Sequence, residues 1–274
     1  MLDVMAMGEE YRDDAAAIAL LRQTLVDLSE NVTAGVVDFD EIDEHLTWIV
    51  YVGDIHLFSV GNNRAFHFVS SATAEQLGYD SPDRVRQLGS FTIMNRHYKK
   101  LECVYWLRHL VRLPSHRNVE VIDYCARTKV RQASGRVGFE ERRYLACNLK
   151  DYRGRHDIIC VSIEDRNLAR QACCFRTATH PDPMIRAATP AIAELASGRR
   201  RLEVFVRRSR KQPPARIAER LGISVATVNE HLTRIYEILG FRERKLEQLI
   251  ELAKRSGLKD SGFGADAPQL AHAY

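Results

Sequence analysis

The chain has 274 residues, of which 45% are hydrophobic and 28% charged, and its formal net charge is +4. This composition is typical of a folded protein with one large domain or two ordinary ones, and it excludes wholesale disorder. No run approaches the ~20 consecutive apolar residues of a membrane span, and the acidic N-terminus lacks the basic segment of a secretory signal peptide.

The first predicted element is a long amphipathic helix. Between Glu9 and Glu30 the apolar residues recur mostly three or four positions apart, which is typical of a helix with one buried face. We therefore expect an N-terminal helical extension over residues 1–45.

Strand-like runs follow, with helical patterns between the early and the late ones. Their aromatic and β-branched content, and turn signals such as Gly61-Asn62-Asn63, predict hairpins of an antiparallel sheet. Strands mixed with helices predict an α+β domain over residues 46–168. The predicted strands are Trp48–Val52, Ile55–Val60, Ala65–Ser70, Val119–Arg127, Arg143–Leu149 and Asp157–Glu164, and the helices are Thr73–Gly78 and Tyr98–Val111.

The last hundred residues are predicted to contain helices and no strands. Residues 169–198 are Ala-rich and interrupted by prolines, as expected of a helical linker. Residues 199–256 show only helical patterns and form a second predicted domain. Residues 257–274 combine Gly, Ala and Pro with little periodicity and are predicted to be disordered.

Positive charge is concentrated in this second domain. Residues 199–255 contain 15 Lys and Arg against seven Asp and Glu, a net charge of +8, so the remainder of the chain carries −4. A compact basic domain attached to a mildly acidic one indicates contact with a polyanion through the basic part. A solvated helical surface rich in arginine would give the same numbers.

Two short helices separated by a tight turn are predicted near the centre of the basic domain. Gly222 can end the first helix in a left-handed conformation, and Ser224 is a good N-cap for the second. In the second helix one buried stripe is expected, and the small Ala218 lets the two helices cross closely. This pattern predicts a helix-turn-helix, whose second helix enters the major groove of DNA. The stripe consists of Val228, Leu232, Ile235 and Leu239.

The face opposite that stripe holds the candidate base-reading residues Ala226, Asn229, Glu230 and Thr233. Asn can pair with adenine, Glu can accept from cytosine, and Ala or Thr can touch the thymine methyl group. Glu230 is equally compatible with a solvent-facing role, since a carboxylate is repelled by DNA. A second set of residues is suited to contacts with DNA phosphates. Such contacts position the domain on the duplex without reading its sequence. It comprises Lys211, Arg216, Ser224, Thr227, Arg234, Arg242, Arg244 and Lys245.

This segment resembles the LuxR/FixJ-type DNA-binding domain over about residues 200–252. The matching positions include Ile217, Ala218, Ser224-x-x-Thr227-Val228 and Leu239-Gly240-Phe241-x-x-Arg244. The resemblance implies an all-α domain of four helices that binds duplex DNA as a homodimer. It also implies that the fourth helix contacts the second copy, through Leu246, Leu249, Ile250 and Ala253.

The first domain resembles the PAS family over about residues 54–166. The resemblance rests on the predicted hairpin from Ile55 to Ser71, the short motifs Leu77-Gly78-Tyr79 and Ser81-Pro82, and the closing hairpin from Tyr144 to Glu164. It implies an antiparallel sheet over a small cavity that senses a ligand or a protein partner. Together the two resemblances imply a fold of class α+β, with a PAS-like sheet followed by a four-helix LuxR-type domain.

No residue pattern identifies the ligand or a cofactor. Cys103 does not match the reactive cysteine motif of flavin-binding light sensors, and a lone His97, His109 or His116 is a weak candidate for binding haem. The six cysteines include no C-x-x-C pair, so neither a metal site nor a disulfide scaffold is expected. This cysteine usage predicts that the protein works in a reducing cytoplasm. The adjacent Cys173 and Cys174 look exposed in the sequence and are a weak redox candidate.

These observations favour a transcriptional regulator over two alternatives. One alternative is a protein-interaction module that dimerises and does not bind DNA sequence-specifically. The other is a regulator with an acyl-homoserine-lactone pocket, disfavoured because Trp48 and Trp106 do not fall in the usual Trp/Tyr/Asp pattern of that pocket. The sequence contains no P-loop, G-x-S-x-G, H-E-x-x-H or Rossmann motif, so no catalytic residue is predicted and an enzyme is not expected.

Overall fold

A computed structural model describes residues 4–38, 57–61, 66–69, 71–88, 121–131, 134–150, 156–162 and 168–263. In these residues an antiparallel sheet is followed by a run of helices, and helical residues outnumber strand residues. Several predictions lie outside the described residues: the strand Trp48–Val52, the helix Tyr98–Val111, and the side chains of Cys103, His97, His109 and His116.

Five strands form one sheet in the order β2-β1-β5-β4-β3, and every neighbouring pair is antiparallel. Five of the predicted strands are confirmed, although β4 begins six residues earlier than predicted because it pairs with β3 along that strand's whole length. The strands are β1 (Leu57–Gly61), β2 (Phe66–Val69), β3 (Ile122–Arg131), β4 (Val137–Lys150) and β5 (His156–Ser162).

A short helix, α2 (Ser71–Gln76), follows β2 where the sequence predicted one at Thr73–Gly78. Gly78 lies just beyond it with φ +80°, a left-handed conformation that glycine adopts without steric cost. Helical backbone resumes at residues 82–88. Both helical stretches contribute to a small second core of Val69, Ala74, Leu77 and Val85.

The long N-terminal helix, α1 (Val4–Thr33), packs directly on the sheet. Its buried residues lie three or four positions apart and face alternate residues of β4, among them Leu145 and Cys147. The predicted amphipathic helix is confirmed, and the sheet covers its apolar face. The buried positions of α1 include Ala17, Leu21, Leu25, Leu28 and Val32.

The predicted linker is three packed helices. Helix α3 (Leu168–Ala178) packs against α1, and α5 (Thr189–Ala196) packs against α3, with the short α4 (Pro183–Ala187) between them. Asp182 caps α4 by accepting a hydrogen bond from the Met184 amide at 2.9 Å. Cys173 and Cys174 lie on the inward side of α3 and are buried, so their exposure was wrongly predicted.

Four further helices make up the basic segment, residues 199–255, of the described chain. They are α6 (Arg199–Ser209), α7 (Pro214–Leu221), α8 (Val225–Ile238) and α9 (Leu246–Arg255). Helix α6 is central, since it contacts α5, α7, α8 and α9. The buried side chains of these helices, of α1, α3 and α5 and of the sheet form one continuous cluster. The helices are therefore docked on the first half of the chain.

The chain after α9 differs from the predicted disorder. Leu258–Asp260 is a 3₁₀ helix, and Leu258 and Phe263 are both buried. Arg210, directly after α6, donates hydrogen bonds to the carbonyl oxygens of Lys259 at 2.8 Å and Ser261 at 2.6 Å. Residues 258–263, called here the C-terminal strap, are held by these distant partners, which local sequence patterns do not reveal. The rest of the predicted tail lies outside the described residues.

Candidate nucleic-acid interface

The turn between α7 and α8 has the predicted geometry. Gly222 ends α7 with φ +63°, and the Ile223 amide donates to the Ala218 carbonyl oxygen at 3.1 Å, which closes the helix end. Ser224 then caps α8, because its hydroxyl accepts a hydrogen bond from the Thr227 amide at 3.0 Å. Three residues separate the two helices, and α8 begins with Val225 and Ala226 exposed.

Helix α8 has one buried side and one open side. Val228, Leu232 and Ile235 of the predicted stripe are buried, and Leu239 is partly buried against the same core. Tyr236 is also buried, although the predicted stripe did not include it. Since this side packs against α6 and α7, the orientation of α8 about its axis is determined, and the remaining side faces solvent.

The four candidate base-reading residues lie together on the open side of α8, called here the reading face. Ala226, Asn229 and Glu230 are exposed, and Thr233 is half-buried. With Arg234 and Glu237 they line one shallow open groove. The structure thus brings together the four residues predicted to read bases, and they lie on the first two and a half turns of α8. A side chain placed there can reach a neighbouring polyanion without any rearrangement of the core.

The candidate phosphate-binding residues fall into two groups. Lys211, Arg216, Arg242 and Arg244 are exposed around the helix-turn-helix, and Lys211 and Arg244 have left-handed φ values of +65° and +50°. The others already have partners within the chain. Lys245 pairs with Glu243 at 2.6 Å, Arg234 pairs with Glu194 and Glu237, and the Ser224 and Thr227 hydroxyls share a 2.9 Å hydrogen bond.

Several basic residues of residues 199–255 make contacts inside the folded chain. Arg207 is buried, and Arg210 binds the C-terminal strap. Arg208 donates to the Gln212 carbonyl oxygen at 3.1 Å, and Arg255 pairs with Asp182. The net charge of the sequence therefore overstates the positive surface that a polyanion would meet.

The predicted contact between two copies requires correction. Leu249 and Ala253 of α9 are fully buried inside this chain, where α9 packs against α6. They cannot reach a second copy unless that packing opens. Leu246 and Ile250 are only half-buried, so they are the members of the predicted set that remain accessible for a dimer contact.

A set of ionic contacts that the sequence did not predict joins the helical linker to α1 and α9. Arg176 of α3 pairs with Asp27 of α1 and donates to the Ser256 carbonyl oxygen just after α9. Arg255 donates to Asp182, and this hydrogen bond is the main reason that the pKa of the Asp182 carboxyl is lowered. His180 lies between these pairs, and burial lowers its pKa. These partners are 73 to 149 residues apart, so no local pattern could identify them.

The described residues around α1 form a polar cleft but hold no group of metal ligands. A polar cleft of about 200 Å³ lies between α1 and the segment after α3, lined by residues that include Asp27, Arg176 and His180. In the described ranges no group of three His, Cys, Asp or Glu side chains is placed to hold a metal ion. Burial raises the pKa of Cys147 and Cys174 to about 12, which disfavours a reactive thiolate.

Comparison with known proteins gives structural neighbours only. No protein-family model and no curated protein matches the chain. VqmA bound to DPO matches at 15% identity and TM-score 0.32, over 82% of this chain and 90% of that one. A Vibrio cholerae VqmA dimer without target DNA, described as a LuxR-type receptor, matches at 15% identity and TM-score 0.34 over the same shares. A PAS domain of a two-component sensor histidine kinase matches at 17% identity and TM-score 0.31, over 43% of this chain and 96% of that one.

The structural neighbours are VqmA and a PAS domain. At these identities and TM-scores the neighbours say nothing about what this chain binds. In the described part of the chain, no helix is long and apolar enough to cross a bilayer.

Proposed function

We propose that this protein is a transcriptional regulator in which a PAS-like domain senses a ligand or a protein partner. That domain would control a LuxR-type helix-turn-helix that binds duplex DNA as a dimer. The observation that carries the proposal is the reading face. Residues suited to base edges occupy the open side of a helix whose other side is buried, directly after a capped tight turn.

The geometry supports major-groove binding for a physical reason. The N-terminal part of a recognition helix reaches base edges, while basic residues around it contact phosphates. Asn229 and Glu230 lie in the N-terminal half of α8. The exposed Lys211 precedes α7, and the exposed Arg216 lies in the first turn of α7. This division predicts sequence reading by α8 and sequence-independent positioning by its surroundings.

Selection from random duplexes tests the proposed function. The full chain is incubated with a pool of random double-stranded DNA, and bound molecules are amplified and sequenced over several rounds. We expect enrichment of a short motif with two-fold symmetry, because a dimer presents two copies of α8 to two half-sites. Failure to enrich any motif would contradict sequence-specific binding.

The affinity for the selected duplex is expected to depend strongly on salt. Each phosphate contact releases condensed counterions. About four contacts in each half-site, or about eight for the dimer, lower the affinity about 10⁴-fold between about 50 and 200 mM salt. Fluorescence anisotropy with a labelled duplex measures this slope. An affinity that stays constant over the same range would contradict binding through a basic surface.

Two single substitutions are expected to separate reading from positioning. Asn229→Ala should reduce the preference for the selected motif over a scrambled duplex by about 1–3 kcal/mol, if Asn229 pairs with a base. Lys211→Ala should weaken binding to both duplexes equally and reduce the salt slope by about one for each copy bound, which is about two for the dimer. Alanine and lysine have similar backbone strain at the left-handed φ of residue 211, so this change tests the charge alone. Equal effects of the two substitutions on both duplexes would refute the division.

A protein-interaction function is supported by one observation. The reading face carries Glu230 and is bordered by Glu237, and carboxylates repel DNA but suit a basic protein surface. In that case the selection would enrich nothing, and a Glu230→Gln substitution would weaken the protein partner's binding. For DNA binding, the same substitution is expected to leave affinity unchanged or increase it.

A further inference from the structure

Arg234 stands on the open side of α8 but is held by two carboxylates. Its guanidinium is 3.1 Å from Oε1 of Glu194 and 3.4 Å from Oε2 of Glu237. Glu237 lies on α8 itself, so it accompanies Arg234 in any movement of that helix. Glu194 belongs to α5, 40 residues earlier in the chain, so it depends on how α5 and α8 are docked.

The position of Glu194 is set by the packing of α5. Four of its neighbours along that helix are at most 2% exposed: Ile192, Ala193, Leu195 and Ala196. They point into the continuous core, while Glu194 points outward beside α8. Its carboxylate therefore stays next to the groove as long as α5 remains docked.

The local charge opposes DNA binding at this point. Three carboxylates, those of Glu194, Glu230 and Glu237, surround or line the groove that contains the single guanidinium of Arg234. A phosphate approaching Arg234 would have to displace Glu194 and would be repelled by it. The pair is half-exposed, with side-chain exposures of 55% and 52%, so it can exchange partners at modest cost.

We propose that Glu194 is an intramolecular competitor of DNA. It occupies the phosphate-binding group of Arg234 and lowers the affinity of the reading face while α5 is docked beside α8. This inference rests on the proposed function. Since α5 packs on α3, and α3 packs on α1 and thereby on the sheet, a shift on the sensory side can move Glu194 and release Arg234.

The test is a Glu194→Gln substitution in the full chain, measured with a labelled duplex of the selected sequence. Because the substitution acts in both copies of the dimer, removing the competing charges should tighten binding about 2- to 30-fold at moderate salt, which corresponds to the usual strength of two exposed ion pairs. The slope of affinity against salt should become steeper by about two, since one more phosphate is neutralised in each half-site. The matched control is Glu251→Gln, an exposed acid on α9 that does not line the groove.

A double-mutant cycle with Arg234→Gln shows whether the effect acts through the pair. In the Arg234→Gln background, Glu194→Gln should change affinity no more than Glu251→Gln does. Thermal melting of each variant accompanies the binding measurements, so that a folding defect is not mistaken for weak binding.

The outcomes separate this inference from the proposed function. If no variant binds duplex DNA, the proposed function fails and the inference fails with it. If the wild type binds but Glu194→Gln and Glu251→Gln have equal effects, only the inference fails. Weaker binding of Glu194→Gln would likewise overturn it, because Glu194 would then be orienting Arg234 toward a phosphate.

Discussion

Phe205→Ala is expected to lower the free energy of unfolding by about 3–5 kcal/mol, the usual cost of removing a fully buried phenylalanine. Phe205 is 0% exposed in α6, the helix that contacts α7, α8 and α9. Loss of the ring leaves a cavity beneath the helix-turn-helix, so α8 loses support for its orientation. DNA affinity should therefore fall together with stability. Urea unfolding followed by circular dichroism measures the stability, and anisotropy measures the affinity.

Val225→Ala is the matched control for this prediction. Val225 begins α8 but is 44% exposed, so its truncation should change the free energy of unfolding by no more than about 0.5 kcal/mol. A loss below about 1 kcal/mol for Phe205→Ala would show that α6 is not the packing centre of this half of the chain, since deletions at tightly packed sites cost more.

Phe263→Ala should cost a comparable amount, again about 3–5 kcal/mol. Phe263 is 1% exposed and belongs to the same core as α1 and α6, although it follows the last α-helix. A Cβ on Gly262 would lie 3.0 Å from the Cβ of Ala16, which shows how closely the C-terminal strap approaches α1. Differential scanning calorimetry of the variant measures the change in melting temperature and enthalpy.

The control for the C-terminal strap is Met184→Ala, at a side chain that is 69% exposed on α4. We expect this variant to melt within a few degrees of the wild type, because an exposed side chain contributes little burial. If Phe263→Ala melts like the control, residues 258–263 contribute nothing to stability, and the predicted disorder of this segment would be correct.

The helix-turn-helix was accessible from the sequence because its signals are local. A glycine with left-handed φ, a serine cap three residues before its amide partner, and apolar residues three or four apart all act within a few turns. Consequently the open side of α8, and with it Ala226, Asn229, Glu230 and Thr233, could be predicted before the structure was known. Their contacts with bases remain predictions.

The sheet was predicted less completely, for a related reason. Alternation of side chains marks where a strand lies, and five of the predicted strands are confirmed. The order of strands and the length of β4 depend on pairing between distant segments. Leu57, for example, is paired with Val161 across about a hundred residues. Register of that kind follows from the closed set of backbone hydrogen bonds and not from any single strand.

The helix-turn-helix, the strand positions and the concentration of basic residues follow from local patterns of amino acids. Which residues are available to a partner depends on how the folded elements pack together. Leu249 and Ala253 are used inside the chain, Cys173 and Cys174 are buried, and Arg234 is held by Glu194. The physical reason is that periodicity and capping act between neighbours along the chain. Burial and ion pairing depend on surfaces that meet only after folding.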